Sequence, residues 1–151
     1  MTDDQIPDAL APPWVRLGAY AVASDPAGRL LCARIAPGYP WAGTSTLPSG
    51  GVEWGEHPDA AVIRELQEET GLTGRIERII GIHSHTIDRP VSRPGPAQVV
   101  AILYQVVDVS GVLRVEDSGS SDACAWLTSD ELADLPHVPL VVQALAAIAE
   151  R

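Results

Sequence analysis

Glu65, Glu68 and Glu69 place three carboxylates in one short segment, at i, i+3 and i+4. On a helix, at roughly 100° per residue, these positions share one face. Like charges so spaced repel, at a cost of a few tenths of a kcal/mol per pair and more where water is excluded. Arg64, four residues before Glu68, offsets part of that repulsion. The surplus negative charge suits a hard divalent cation, which takes oxygen ligands. Mg²⁺ would keep several waters and bind substrate phosphates, and Mn²⁺ accepts the same donors. A solvated acidic face is the competing explanation, and for an isolated E-x-x-E-E it is the commoner one.

The helix that must carry these residues has both ends written in the sequence. Pro58 suits the first helical position, where its missing N–H costs nothing, and Asp59 suits the positive N-terminal end. Gly71 can adopt the left-handed conformation that ends a helix. The pattern predicts a helix over 58–70. Val62, Leu66 and Thr70, with Ile63 beside them, form a second and mostly apolar face that can pack on a core.

The surroundings decide between the two explanations. From Gly50, five residues precede Glu56 and seven more precede Arg64; Glu65, Leu66, Gln67, Glu68, Glu69, Thr70, Gly71 and Leu72 follow. This resembles the Nudix box, G-x5-E-x7-R-E-U-x-E-E-x-G-U with U aliphatic, at every fixed position. The resemblance covers residues 50–72 of 151. It implies an α/β/α sandwich with a mixed central sheet, and hydrolysis of a nucleoside diphosphate linked to another group. It also implies a divalent cation held by Glu65, Glu68 and Glu69, bridging diphosphate oxygens, polarising phosphorus and making water more acidic. Glu56 would complete the metal shell and Arg64 would orient a glutamate. Ser49 stands where many members have the first glycine of a Gly-Gly pair; its backbone carbonyl remains a metal ligand in this reading. The general base varies among members, between a box glutamate and an acid from a distant loop; Glu116, Asp117 and Asp122 are the loop candidates.

Composition bounds the rest. The length fits one domain with a real core; residues 1–13 read as a loose tail and 14–151 as the domain. Asp plus Glu number 20 against 10 basic residues, giving a net charge of −10. That argues against a nucleic-acid or anionic-membrane surface, but not against a phosphorylated substrate, because a bound cation can reverse the local sign. A homodimer stays open. Cys32 and Cys124 lie in apolar runs and read as free thiols. The acidic N-terminus lacks the features of a signal peptide and no apolar run is long enough to span a bilayer, so a cytoplasmic protein is expected.

Along the chain, Val15 to Ala23 alternates as a strand does, Asp25-Pro26-Ala27-Gly28 is type I turn chemistry, and Arg29 to Ile35 is expected to return as the second arm of a hairpin. The loop from Ala36 to Thr46 carries Tyr39 and Trp41. Trp41 is a candidate to stack on a nucleobase, with the core edge as the equal alternative; Tyr39 and Trp54 read as packing residues. Arg75 to Ile87 reads as a strand with His83 and His85 on one face, as ordinary strand residues rather than ligands. Arg89 and Arg93 lie in the following loop, and their forked guanidiniums match phosphate oxygens; surface solubility competes equally. Ala97 to Val109 reads as a central strand, Val112 to Val115 as another after a turn, and a short strand follows at 122–127. Thr128-Ser129-Asp130-Glu131 is a capping box, and Pro139 opens a last helix to about Ala149.

Marks of particular Nudix sub-families are missing. The stretch typical of NADH pyrophosphatases, the proline of one ADP-ribose class and the tyrosine of diadenosine polyphosphate hydrolases do not appear past the box. A nucleoside triphosphate pyrophosphohydrolase of housekeeping type leads by elimination. The alternatives are an ADP-ribose or nucleotide-sugar pyrophosphatase, and a nucleotide-sensing domain without turnover. Sensing domains usually lose box carboxylates, and this chain keeps them.

Overall fold

In this computed structural model the chain is described over residues 10–150. Most of the tail expected at 1–13 lies outside the described residues. The elements are β1 (Trp14–Ala23), β2 (Leu30–Ile35), β3 (Ser45–Thr46), β4 (Ser49–Gly51), α1 (Pro58–Thr70), β5 (Leu72–Ile87), β6 (Ala97–Gly111), β7 (Ser121–Leu127), α2 (Ser129–Ala133) and α3 (Pro139–Ala149). They build a four-stranded sheet in the order β4-β1-β6-β5 and a three-stranded sheet in the order β3-β2-β7. The larger sheet is mixed: β1 runs parallel to β6 and antiparallel to β4, and β5 runs antiparallel to β6.

Alternation on β1 explains the layers. Ala19, Ala21 and Ala23 pack with Ala61, Val62 and Leu66 of α1, together with Tyr104 and Val106 of β6. Val22, with Tyr20 beside it, faces the other way and packs with Ala101 and Leu103 of β6, Leu132 of α2, and Leu140, Val141 and Ala144 of α3. A strand covered on both faces needs apolar residues at odd and even positions, and β6 supplies them as its sequence predicts. Among the described residues no helix is long and apolar enough to cross a membrane. Cys32 and Cys124 are free, the first buried.

Two strand expectations need correction. The turn at Asp25–Gly28 forms, with Gly28 N donating to Asp25 O at 2.9 Å. The expected hairpin does not: one bridge joins Ser24 to Leu30, and β2 then leaves for the other sheet to pair with β3 and β7. The reason is occupancy, because β4 and β6 already take the two edges of β1. Val112 to Val115 is likewise no strand. Gly111, at φ 117°, ends β6, whose edges are filled by β1 and β5. The chain then crosses the end of α1, where Arg114 N donates to Thr70 O at 2.9 Å.

Candidate active site

The box helix α1 is fixed at both ends. His57 caps its N-terminus, with Nδ1 accepting from Asp59 N at 3.0 Å. Gly71, at φ 77°, donates its N–H to Gln67 O at 2.9 Å. Val62, Leu66 and Thr70 are buried, and Glu65 and Glu68 stand on the side turned to the cleft. Arg64 organises them. Its Nε donates to Glu56 Oε2 at 2.8 Å and its Nη2 to Glu56 Oε1 at 2.9 Å, a bidentate pair. Nη2 also reaches Gly51 O at 3.1 Å, while Nη1 donates to Glu65 Oε1 at 2.7 Å and to Glu68 Oε2 at 3.2 Å. The Arg64 hydrogen bonds hold the Glu56 carboxyl down to about 2.

Glu69 sits in a different environment, 3% exposed. Ser121 Oγ donates to its Oε1 at 2.6 Å and Ser49 N to its Oε2 at 2.7 Å. Burial nevertheless pushes its carboxyl up to about 7, because two hydrogen bonds do not replace lost water. Burial also raises Glu65. Gly50 makes room for that carboxylate: a Cβ there would overlap the Glu65 carboxyl group.

All three glutamates line a cleft of about 780 Å³. Its floor follows from strand register. Arg16 on β1 pairs with Val99 on β6, which pairs with His85 on β5; Gly18, Ala101 and His83 form the adjoining row. Glu116 enters from the loop before β7, and Trp41 from the loop before β3. Trp41 holds φ 60°, in the left-handed region, and Thr44 fixes this turn by donating Oγ1–H to Trp41 O at 2.6 Å. The indole then meets the His85 ring edge-on at 5.5 Å, and His85 lies 5.8 Å from His83. Burial lowers the His85 pKa and the His83 charge adds to that.

The family model described as NUDIX domain matches residues 14–147. The chain belongs to the Nudix hydrolase family. It is 32% identical over 127 residues to a MutT-like protein of Streptomyces ambofaciens, covering 84% of this chain and 73% of that one. It is 33% identical over 78 residues to an ADP-ribose pyrophosphatase of Methanocaldococcus jannaschii, covering 52% of this chain and 43% of that one. The crystal structure of a MutT Nudix hydrolase from Burkholderia pseudomallei superposes with a TM-score of 0.73 at 29% identity, over 88% of this chain and 97% of that one.

In this Nudix hydrolase the expected site residues divide. Glu65, Glu68, Glu69, Ser49, Trp41 and Glu116 line the cleft. Glu56 and Arg64 do not; Glu56 spends both carboxylate oxygens on Arg64, and so anchors the guanidinium that holds Glu65 and Glu68. Asp117 and Asp122 are also outside the lining, and Asp122 instead accepts from Arg34 Nε at 2.7 Å across β7 and β2. Arg89 and Arg93 stand outside it as well, with the Arg93 guanidinium 4.7 Å over the Trp14 ring. Tyr39, expected to pack, lines the cleft, and so do His83 and His85; Trp54 is fully exposed rather than packed. Arg16, Tyr20, Ser121 and His137 also line the cleft, and no motif in the sequence marks them. Arg16 left a signal, a charge on the same strand side as Tyr20 and Val22.

The donor chemistry fits a hard divalent cation: Glu65, Glu68, Glu69 and Glu116 bring oxygen ligands to one cleft. Among the described residues no three acidic, histidine or cysteine groups converge on a single point. Arg64 draws Glu65 and Glu68 to its own Nη1, while Glu69 is turned to Ser121 and Ser49.

Proposed function

We propose that this Nudix hydrolase cleaves the diphosphate linkage of a nucleoside diphosphate joined to another group, with nucleoside triphosphates as the leading substrate class. The observation that carries this reading is one cleft lined by Glu65, Glu68, Glu69 and Glu116 that also contains Trp41 and Tyr39. Its size, about 780 Å³, lies in the range of small-molecule sites.

Glu65, Glu68 and Glu69 would hold Mg²⁺ or Mn²⁺. The cation supplies charge that offsets the diphosphate oxygens and makes an attacking water more acidic. Glu56 locks Arg64, whose Nη1 holds Glu65 and Glu68 together on one side of the cleft; a bound cation would draw both carboxylates from that nitrogen. Glu116 is the loop acid that reaches the cleft and is our choice of general base over Asp117 and Asp122. Trp41 supplies the ring face on which a nucleobase stacks, with His85 edge-on beside it.

A second reading, cleavage of ADP-ribose or a nucleotide sugar, draws support from the similarity to the Methanocaldococcus ADP-ribose pyrophosphatase. A panel of nucleoside triphosphates, ADP-ribose, nucleotide sugars and dinucleotides with Mg²⁺, scored by the masses of both products, separates the two. Triphosphates should yield a monophosphate and inorganic diphosphate. Turnover of ADP-ribose with none of any triphosphate would replace the first reading by the second.

A further inference from the structure

The cleft holds an arginine without an anion. Arg29, Arg34, Arg64 and Arg75 are each bridged to a carboxylate. Arg16 makes no such bridge among the described residues, although it lines the same cleft as four glutamates. Its guanidinium lies along Gly51, where an added Cβ would stand 3.6 Å from both Nε and Nη2. Gly51 thus touches two guanidiniums: Arg64, committed to carboxylates through its whole fork, and Arg16, exposed with its fork open. Val99, the register partner of Arg16 on β6, lines the same cleft and is buried. A charge beside such an apolar residue faces less competing water than one on an open surface, which strengthens its attraction for an anion. Planar guanidinium donors match phosphate oxygens bidentately.

We propose that Arg16 is a phosphate-binding residue of this cleft, taking non-bridging oxygens of a nucleotide's phosphate chain from the β1 side while the glutamates of α1 approach it through the cation. This deepens the nucleotide reading and rests on it. It also narrows the ligand. The chain contains no lysine, and His83, His85 and His137 are the other basic groups lining the cleft. A di- or triphosphate fits that supply of positive charge; a multiply phosphorylated ring does not.

The test is binding of methylenediphosphonate, an uncleavable diphosphate, with Mg²⁺ by calorimetry to wild type, Arg16→Ala, Arg16→Lys and Arg89→Ala. Arg89 is the control, exposed and outside the cleft. Loss of a charged hydrogen-bonding pair should weaken binding by about tenfold to a hundredfold in Arg16→Ala, and by less in Arg16→Lys, which keeps the charge and loses the fork. Arg89→Ala should bind as wild type does. All four proteins should melt alike, since Arg16 is exposed. With a cleavable nucleotide, Arg16→Ala should raise KM far more than it lowers kcat. Arg16→Ala binding equal to wild type, or a wild type that binds no diphosphonate, overturns the subsite. Wild-type binding that Arg16→Ala loses, without turnover of any nucleotide, would uphold the subsite and remove the nucleotide reading instead.

Discussion

Glu68 and Glu69 are neighbours in sequence and opposites in environment. Glu68 has a side chain 49% exposed, and Glu69 is buried to 3%. Glu68→Gln keeps shape and helix propensity while removing the anionic oxygen that a hard cation prefers. It should lower kcat by about a hundredfold or more and leave the metal-free melting temperature unchanged or higher, because one of three repelling charges is gone. Steady-state kinetics and thermal melts in EDTA check both halves. For Glu69 the prediction concerns pH. Its carboxyl titrates near 7 when folded, above its unfolded value, so the folded chain keeps a proton that the unfolded chain releases. The stability this supplies is complete below the unfolded pKa and is lost as pH climbs through 7. His85 works the other way, because burial lowers its pKa and stability rises as it loses its proton. The difference between wild type and Glu69→Gln isolates the glutamate: between pH 5 and pH 7, metal-free wild type should lose up to about 1.4 kcal/mol per pH unit relative to the variant. A flat difference would place Glu69 in water rather than in the core.

Helix α1 was legible because its signals are local. Pro58, Gly71 and the apolar row Val62-Leu66-Thr70 each act within a turn or two, and the observed bounds, Pro58–Thr70, match the expected 58–70. The capping box at Thr128 was legible for the same reason, with Glu131 N donating to Thr128 Oγ1 at 3.1 Å. The hairpin from β1 to β2 failed because a good turn sets only local geometry. Which strand fills an edge depends on β4 and β6, one of them some 80 residues away in the chain, as the Arg16–Val99 pairing records. The site split along the same line. Box glutamates could be named from spacing, whereas Arg16, Tyr20 and His137 join it through sheet register and chain crossings that no short window contains. One local signal can be tested directly. Gly71→Ala would push a Cβ into Val112 O, at a φ that side chains avoid. It should cost about 2 kcal/mol or more in denaturant melts, where an ordinary exposed substitution changes little.

Across the whole molecule the charge is −10, and four carboxylates meet at one cleft. Self-repulsion should therefore limit stability at low ionic strength. Raising NaCl from about 10 to 150 mM, which shortens the screening length from about 30 to 8 Å, should raise the melting temperature in EDTA. A fall would mean that ion pairs such as those of Arg64 dominate instead. The parallel pairing of β1 with β6 also sets an order of events in folding. Everything up to Thr70 leaves the ribosome before β6 is made, and the cleft has no floor until residues 97–106 dock beside β1. Such distant pairing is slow, with millisecond-to-second folding expected of non-local sheets. During refolding, the divalent-cation response should thus appear together with the final tryptophan fluorescence change, and an incomplete nascent chain should be unable to hydrolyse anything.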